Sequence, residues 1–439
     1  MNKKTQGARE AAAQVLRRVW HDQAFAAAAL SVVLSDESRV MDARDRGLTT
    51  ELVYGVLRTQ GFLRRALEKH AQHIPDADDI YPHLLLAVYQ LYFLDRIPAR
   101  AAVNEAVDAV GRSRTPGKKS FANAVLRKVA RDAEEPVTLS EAILASSPSW
   151  LRKRMMKAIG DESMRDLMAS GRAFEPTLRF VEAEALPPWL ETNCSSIPGV
   201  PSAYRYHAGG DPRRHPEYSS GQFILQELGA QLVAHALGAG PGESVFDVCA
   251  GRGQKTSLLA RQVGASGQVV ATDLYEQKVK SLTDELARLG LSAQAKVHDW
   301  TDSALVEWEG RFDRVLVDAP CTGVGTLRRR PEILRRLEST DPGRMGTLQQ
   351  EILRNAASLV RPGGILVFAT CSVLQEEGEE VVEQFLATQA GRFHLADADG
   401  ELIPPLSKKP PVFRLLPHVD GSDGYFVARF QRSVDELAS

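Results

Sequence analysis

A chain of 439 residues with 44% hydrophobic and 25% charged content has room for two or three ordinary globular domains. No run of about 18 apolar residues occurs, and the polar start MNKKTQGARE carries no apolar signal core, so a membrane span and a secretory leader are not expected. The four cysteines (Cys194, Cys249, Cys321 and Cys371) form no C-x-x-C pair and no Cys/His cluster at zinc spacing, which points away from disulfides and metal and towards a reducing, cytoplasmic setting.

The formal charge of −2 hides an asymmetry. Residues 1–132 hold 21 Lys+Arg against 15 Asp+Glu, while the remainder holds 33 against 41. A basic module joined to a mildly acidic one is compatible with a nucleic-acid contact on the first part, although small helical domains also drift basic by chance. Within that part, Ala8, Ala12, Val15, Leu16 and Val19 fall at helical spacing. The period recurs in Leu84, Val88 and Leu91, in Val103, Ala106, Val107 and Val110, and in Phe121, Ala124 and Val125. Residues 1–134 are therefore expected to form an all-α domain. A mixed stretch over 135–220 follows. It includes the basic run Arg152, Lys153, Arg154 and Lys157 and a strand-like Thr177–Val181, and it reads as a small connecting subdomain. Over 221–434 short apolar runs at 244–247, 267–272, 313–317 and 364–369 alternate with helical stretches near 256–263, 276–289, 347–360 and 376–388. This is the pattern of an α/β, doubly wound, Rossmann-like parallel sheet. A last strand is expected at Tyr425–Phe430.

The first of these strands runs into Asp247-Val248-Cys249-Ala250-Gly251-Arg252-Gly253-Gln254-Lys255-Thr256 and then a helix. Glycines at such a turn let a ligand approach the backbone, and acidic tips on the following strands, Asp273 and Asp299, suit ribose hydroxyls and an adenine amino group. Carboxylates in these places disfavour a triphosphate and suit a nucleoside carrying a sulfonium. A P-loop is absent, and the dinucleotide fingerprint fails at its third glycine. S-adenosylmethionine is the expected ligand, held by Cys249, Ala250, Gly251, Arg252, Gly253, Gln254, Lys255, Asp273, Asp299 and Asp318. Arg252 could reach a ligand carboxylate, an RNA phosphate or only solvent. Gln254 gives up the positive φ open to glycine, which predicts crowding at the methionine end.

Two later strands end in Asp318-Ala319-Pro320-Cys321-Thr322-Gly323-Val324-Gly325 and Thr370-Cys371-Ser372, so both cysteines sit at strand tips on the ligand-binding edge. A free cysteine is more often a small buried hydrophobe, but two at neighbouring tips beside Asp318 invite chemistry. C5 of cytosine is a poor nucleophile until a thiolate adds to C6. Charge then builds at N3, for which Asp318 is the candidate neutralising group, with Lys255 as its partner.

These motifs resemble the Nop/Sun family of RNA 5-methylcytosine methyltransferases, which shows D-x-C-A-A-P-G-G-K-T, D-A-P-C-S-G-x-G and A-T-C-S followed by acidic residues. In this chain the last two stand as Asp318–Gly325 and Ala369–Ser372, with Glu376 and Glu377 after them. Leu225–Val233 resembles the family's lead-in and Asp420–Phe430 its closing D-G-x-D-G-F-F-x-A-R. Gly251-Arg252 and Gln254 depart from the usual Ala-Pro and Gly. Arg44–Leu48, Leu57-Arg58 and Val103–Val107 resemble the NusB-type helical RNA-binding domain fused in the subgroup that modifies small-subunit ribosomal RNA. The resemblance implies that Cys371 is the nucleophile and that Cys321 assists release. In DNA cytosine-5 methyltransferases the Pro-Cys cysteine attacks instead, so the second cysteine favours RNA.

Arg328, Arg329 and Arg330 directly follow the Pro-Cys loop and are expected to hold RNA phosphates, against the plainer reading of a solvated charge run. The expected substrate is an unpaired or flipped cytosine of small-subunit ribosomal RNA, acted on by a monomer without metal. A transfer-RNA enzyme and a non-catalytic RNA-binding or antitermination factor are the alternatives.

Overall fold

The computed structural model describes residues 7–36, 41–74, 79–112, 116–170, 175–181, 187–302, 305–397 and 402–434. It divides the chain into two compact units, Met1–Lys153 with Leu327–Leu337, and Arg154–Thr326 with Glu338–Ser439.

The first unit is helical, with helices at Ala8–His21, Ala26–Leu34, Ala43–Glu68, Tyr81–Phe93, Ala99–Gly111, Lys118–Asp132 and Leu139–Ser146. Local signals set their ends. Asp42 caps the long helix by accepting from the Asp45 N–H, and Thr138 and Glu141 form a capping box. The apolar stripes converge on one core in which Tyr81–Gln90 is buried along its whole length. Gly55 is required there, because a Cβ would lie 2.1 Å from the Tyr89 ring.

Leu327–Leu337 packs with this unit. Arg58 donates to the Arg328 carbonyl at 3.1 Å, the Ala26 N–H donates to Glu332 Oε1 at 3.2 Å, and Arg336 donates to the Ala24 carbonyl at 2.8 Å. The guanidiniums of Arg330 and Arg336 each lie 5.6 Å from the Phe25 ring centre. The arginine run expected to hold phosphates is therefore divided. Arg328 is buried, which corrects its expected surface role. Arg329 is half-buried and Arg330 exposed.

The second unit holds two sheets. In the smaller, β1 (Thr177–Phe180), β2 (Cys194–Ser196), β3 (Ala203–Tyr206) and β4 (Phe223–Leu225) pair antiparallel in the order β2-β3-β1-β4. The larger sheet comprises β5 (Ser244–Asp247), β6 (Gln268–Asp273), β7 (Gln294–Val297), β8 (Phe312–Asp318), β9 (Val360–Thr370), β10 (Phe393–Leu395), β11 (Val412–Leu415) and β12 (Tyr425–Arg432). Strands β7-β6-β5-β8-β9 are parallel, and β12 is antiparallel to β9 and pairs with both β10 and β11. Apolar clusters cover both faces of this sheet, which is why its strands read as continuous apolar runs. The strand order reverses between β5 and β8, and ligands of doubly wound sheets bind at that crevice, outside the carboxyl ends.

Candidate active site

β8 and β9 are parallel neighbours whose register sets Asp318 beside Ala369. Both chains leave the sheet at the same edge, and Cys321 and Cys371 meet there with Sγ atoms 3.2 Å apart. Burial and the hydrogen bond to Cys371 raise the Cys321 thiol well above its usual range, the bond contributing most, with Glu377 and Asp318 adding to it. Asp318 Oδ2 accepts from Lys255 Nζ at 2.5 Å. Burial opposes the Lys255 charge, but Asp318 overrides it and holds the ammonium above the usual lysine range. Cys371, Cys321, Asp318 and Lys255, expected from sequence to act together, are thus brought into one cluster.

Lys255 is delivered by the helix Gln254–Val263, which starts after Gly253 at φ 82°. A Cβ at Gly253 would lie 2.8 Å from Leu282 Cγ, so both backbone angle and space call for glycine. Gly251, at φ 60°, has nothing within 4 Å of its Cβ direction, so the backbone between Ala250 and the exposed Arg252 faces open space. Gln254 does not take a positive φ, since it already belongs to the helix. Its amide donates to the Leu225 carbonyl at 3.0 Å, which ties the loop to β4. Cys249 is half-buried at the start of the loop, its thiol pushed up by burial and then by Asp247.

Around this loop lie the carboxylates. Asp273, ending β6, accepts from the Gly251 and Tyr275 N–H groups at 3.0 Å each. Asp299, just after β7, accepts from the Thr301 N–H and hydroxyl, and these bonds hold its carboxyl below the usual range. Asp247, ending β5, is fully buried; Thr256 donates to its Oδ2 at 2.7 Å, while Oδ1 has no hydrogen-bond partner. Burial pushes this carboxyl up to about 7. Open backbone at a glycine, an orphaned buried carboxylate oxygen and acidic strand tips fit an adenosyl group with a sulfonium centre. Among the described residues no cluster of His, Cys, Asp and Glu could hold a metal ion.

Several supporting residues were not assigned from sequence. Gly325 N–H donates to the Cys371 carbonyl at 3.0 Å, and Gly424 N–H donates to the Gly325 carbonyl at 2.8 Å, so the two glycines clasp the thiol loops to the start of β12. Glu227 Oε1 accepts from the Asp423 N–H at 2.7 Å, joining the lead-in to the closing motif. Glu377 is fully buried between the two cysteine loops. Position within a motif was the available signal for each, but the partners lie far away in sequence.

A Rossmann-like sheet with this site at its carboxyl edge defines an S-adenosylmethionine-dependent methyltransferase, carried in this chain with a helical NusB domain. Residues 234–431 match the family described as 16S rRNA methyltransferase RsmB/F, and residues 6–131 match the NusB family. The chain belongs to the ribosomal RNA small subunit methyltransferase B family. It is 34% identical to the ribosomal RNA small subunit methyltransferase B of Pseudomonas syringae pv. tomato, over 92% of this chain and 95% of that one. It is 32% identical to the probable ribosomal RNA small subunit methyltransferase B of Bacillus subtilis, over 97% and 98%. Its fold is similar to the crystal structure of PH0851 (TM-score 0.81, 24% identity, 98% of this chain and 100% of that one). It is also similar to NSun6 from Pyrococcus horikoshii with SFG (TM-score 0.54, 17% identity, 66% and 99%).

Proposed function

We propose that this chain methylates C5 of an unpaired cytosine in small-subunit ribosomal RNA through a covalent bond between Cys371 and C6. The Cys371 thiolate adds to C6, and the ring electrons displaced by this addition build negative charge towards N3, which the Asp318–Lys255 pair neutralises. S-adenosylmethionine supplies an electrophilic methyl group. The enamine-like C5 takes that methyl. A base then removes the C5 proton, the C6–S bond breaks, and Cys321 assists the departure of Cys371.

The observation that carries this reading is the pair of thiols 3.2 Å apart at adjoining strand tips, beside the Asp318–Lys255 pair. The raised Cys321 thiol keeps its proton, and its hydrogen-bond contact with Cys371 sets the two sulfurs side by side, as attack by one and assisted release by the other require. The relatives are named for small-subunit ribosomal RNA, which supports that substrate. Arg330, exposed, and Arg329, half-buried, are the phosphate contacts this reading retains.

Cys371→Ala should abolish both methyl transfer and covalent trapping of RNA. Cys321→Ala should accumulate a protein–RNA adduct visible on denaturing gels. An active Cys371→Ala beside an adduct-free, inactive Cys321→Ala would reverse the two roles. Bisulfite sequencing of ribosomal and transfer RNA from a strain lacking the gene identifies the substrate: loss of a transfer-RNA mark alone would overturn the ribosomal assignment.

A further inference from the structure

Glu377 closes the 3-10 turn Gln375–Glu377 and is fully buried. Its Oε1 accepts from the Thr322 N–H at 2.7 Å and from Gln349 Nε2 at 3.4 Å. Its Oε2 accepts from the Thr322 hydroxyl at 2.5 Å and from the Ser372 hydroxyl at 2.6 Å. Thr322 directly follows Cys321, and Ser372 directly follows Cys371. One carboxylate therefore grips the residue next to each thiol, while its own carbonyl accepts from Thr370 Oγ1 at 3.1 Å. We propose that Glu377 is a positioning residue that fixes the spacing of Cys321 and Cys371 by clamping both cysteine loops.

The choice of residue supports a clamp over simple filling. Burying a carboxylate among neutral partners is unfavourable, and an apolar side chain would fill the space more cheaply. A side chain with two hydrogen-bonding atoms on a planar fork can engage the Thr322 N–H and both hydroxyls at once, which an apolar side chain cannot. Burial raises the Glu377 carboxyl above its usual range, although the Ser372 and Thr322 donors oppose the shift. Thr322 and Ser372 stand on loops that leave different strands, and both hydroxyls converge on the same Oε2, so the carboxylate links one loop to the other.

The inference rests on the reading of the two thiols as attacking and releasing groups, and its test uses a readout that needs no methylation. Diamide joins neighbouring thiols: each thiol gives up a proton and an electron, a disulfide forms, and the azo bond is reduced to a hydrazine. The rate at which peptides containing Cys321 and Cys371 become linked, followed by mass spectrometry on the full chain, reports thiol register. Glu377→Ala should slow that linkage about tenfold and single-turnover methyl transfer roughly 10- to 100-fold, without changing S-adenosylmethionine affinity. Glu377→Gln should largely restore both rates, because hydroxyls can accept from an amide as well as donate. Linkage at the parental rate in folded Glu377→Ala would overturn the proposal. Should that variant not fold, Thr322→Val with Ser372→Ala removes both hydroxyls from Oε2, and with them the bond from Glu377 to Ser372, while the Thr322 N–H stays on Oε1; a parental linkage rate there overturns the clamp between the loops. Slow linkage with undiminished methyl transfer would instead leave the clamp standing and refute the proposed roles of the thiols.

Discussion

Lys255 and Asp318 are each largely withdrawn from water, with side chains 12% and 24% exposed, so each depends on the other for compensation. Lys255→Met removes the cation and leaves a partly buried carboxylate at the edge where the proposed reaction calls for charge to be neutralised. Methyl transfer should fall roughly 100-fold or more, measured in a single turnover with saturating cofactor and RNA. A variant as fast as the parent would remove the pair from the chemistry. Asp247 makes a different demand. Its carboxyl is held at about 7 by burial, whereas an unfolded chain ionises it near 4. Between those values the unfolded state loses its proton and the folded state does not, so stability drains away as pH rises to about 7 and then levels off. Asp247→Asn cannot ionise and escapes this loss. Its stability relative to the parent should therefore improve by about 2 kcal/mol between pH 5 and pH 8, read from denaturant melts at both pH values. A difference that stays constant with pH would show that Asp247 does not titrate in this way.

At the scale of elements, the site is made by two loops that must leave adjacent strands and then stay together. Gly325 permits this, since its Cβ would lie 2.0 Å from the Gly424 carbonyl oxygen and 2.9 Å from that of Cys371. Gly325→Ala should force the Pro-Cys loop away from Cys371, lowering stability by about 1–3 kcal/mol and suppressing methyl transfer. A denaturation midpoint and a single-turnover rate both at parental values would rule out this close approach. The strands and the placing of both cysteines at their tips were legible beforehand because buried parallel strands are short apolar runs whose ends the sequence marks. The glycine clasp and the Glu377 clamp were not. Each joins residues distant along the chain, and neither a lone glycine nor a lone glutamate after a motif reveals its partner. Gln254 shows the same limit: its identity gave no sign that its side chain turns to the Leu225 carbonyl.

At the scale of the whole molecule, the chain leaves the methyltransferase unit after Thr326, contributes Leu327–Leu337 to the helical unit, and returns at Glu338. Three arginines in a row read as a solvated or phosphate-binding run, because charge is visible in sequence and packing is not. In the structure Arg328 is buried and the Arg330 guanidinium lies over Phe25, joined by two later arginines of the segment, Arg336 at Phe25 and Arg335 5.5 Å from the Trp20 ring centre. The helical unit is thus completed by a segment encoded far downstream, and a fragment comprising residues 1–153 alone lacks it. In that fragment the Ala24 carbonyl loses the Arg336 donor, the Ala26 N–H loses Glu332, and Arg58 loses the Arg328 carbonyl. Hydrogen bonds of this kind contribute about 0.5–1.5 kcal/mol each, and exposed cation–aromatic contacts about 0.5–1 kcal/mol. Fusing residues 327–337 to the fragment through a flexible linker should therefore raise its unfolding free energy by about 2 kcal/mol. Substituting Arg336→Ala and Glu332→Ala in the fused segment should remove most of that gain. Equal melting curves with and without the segment would mean that the helical unit is complete without it.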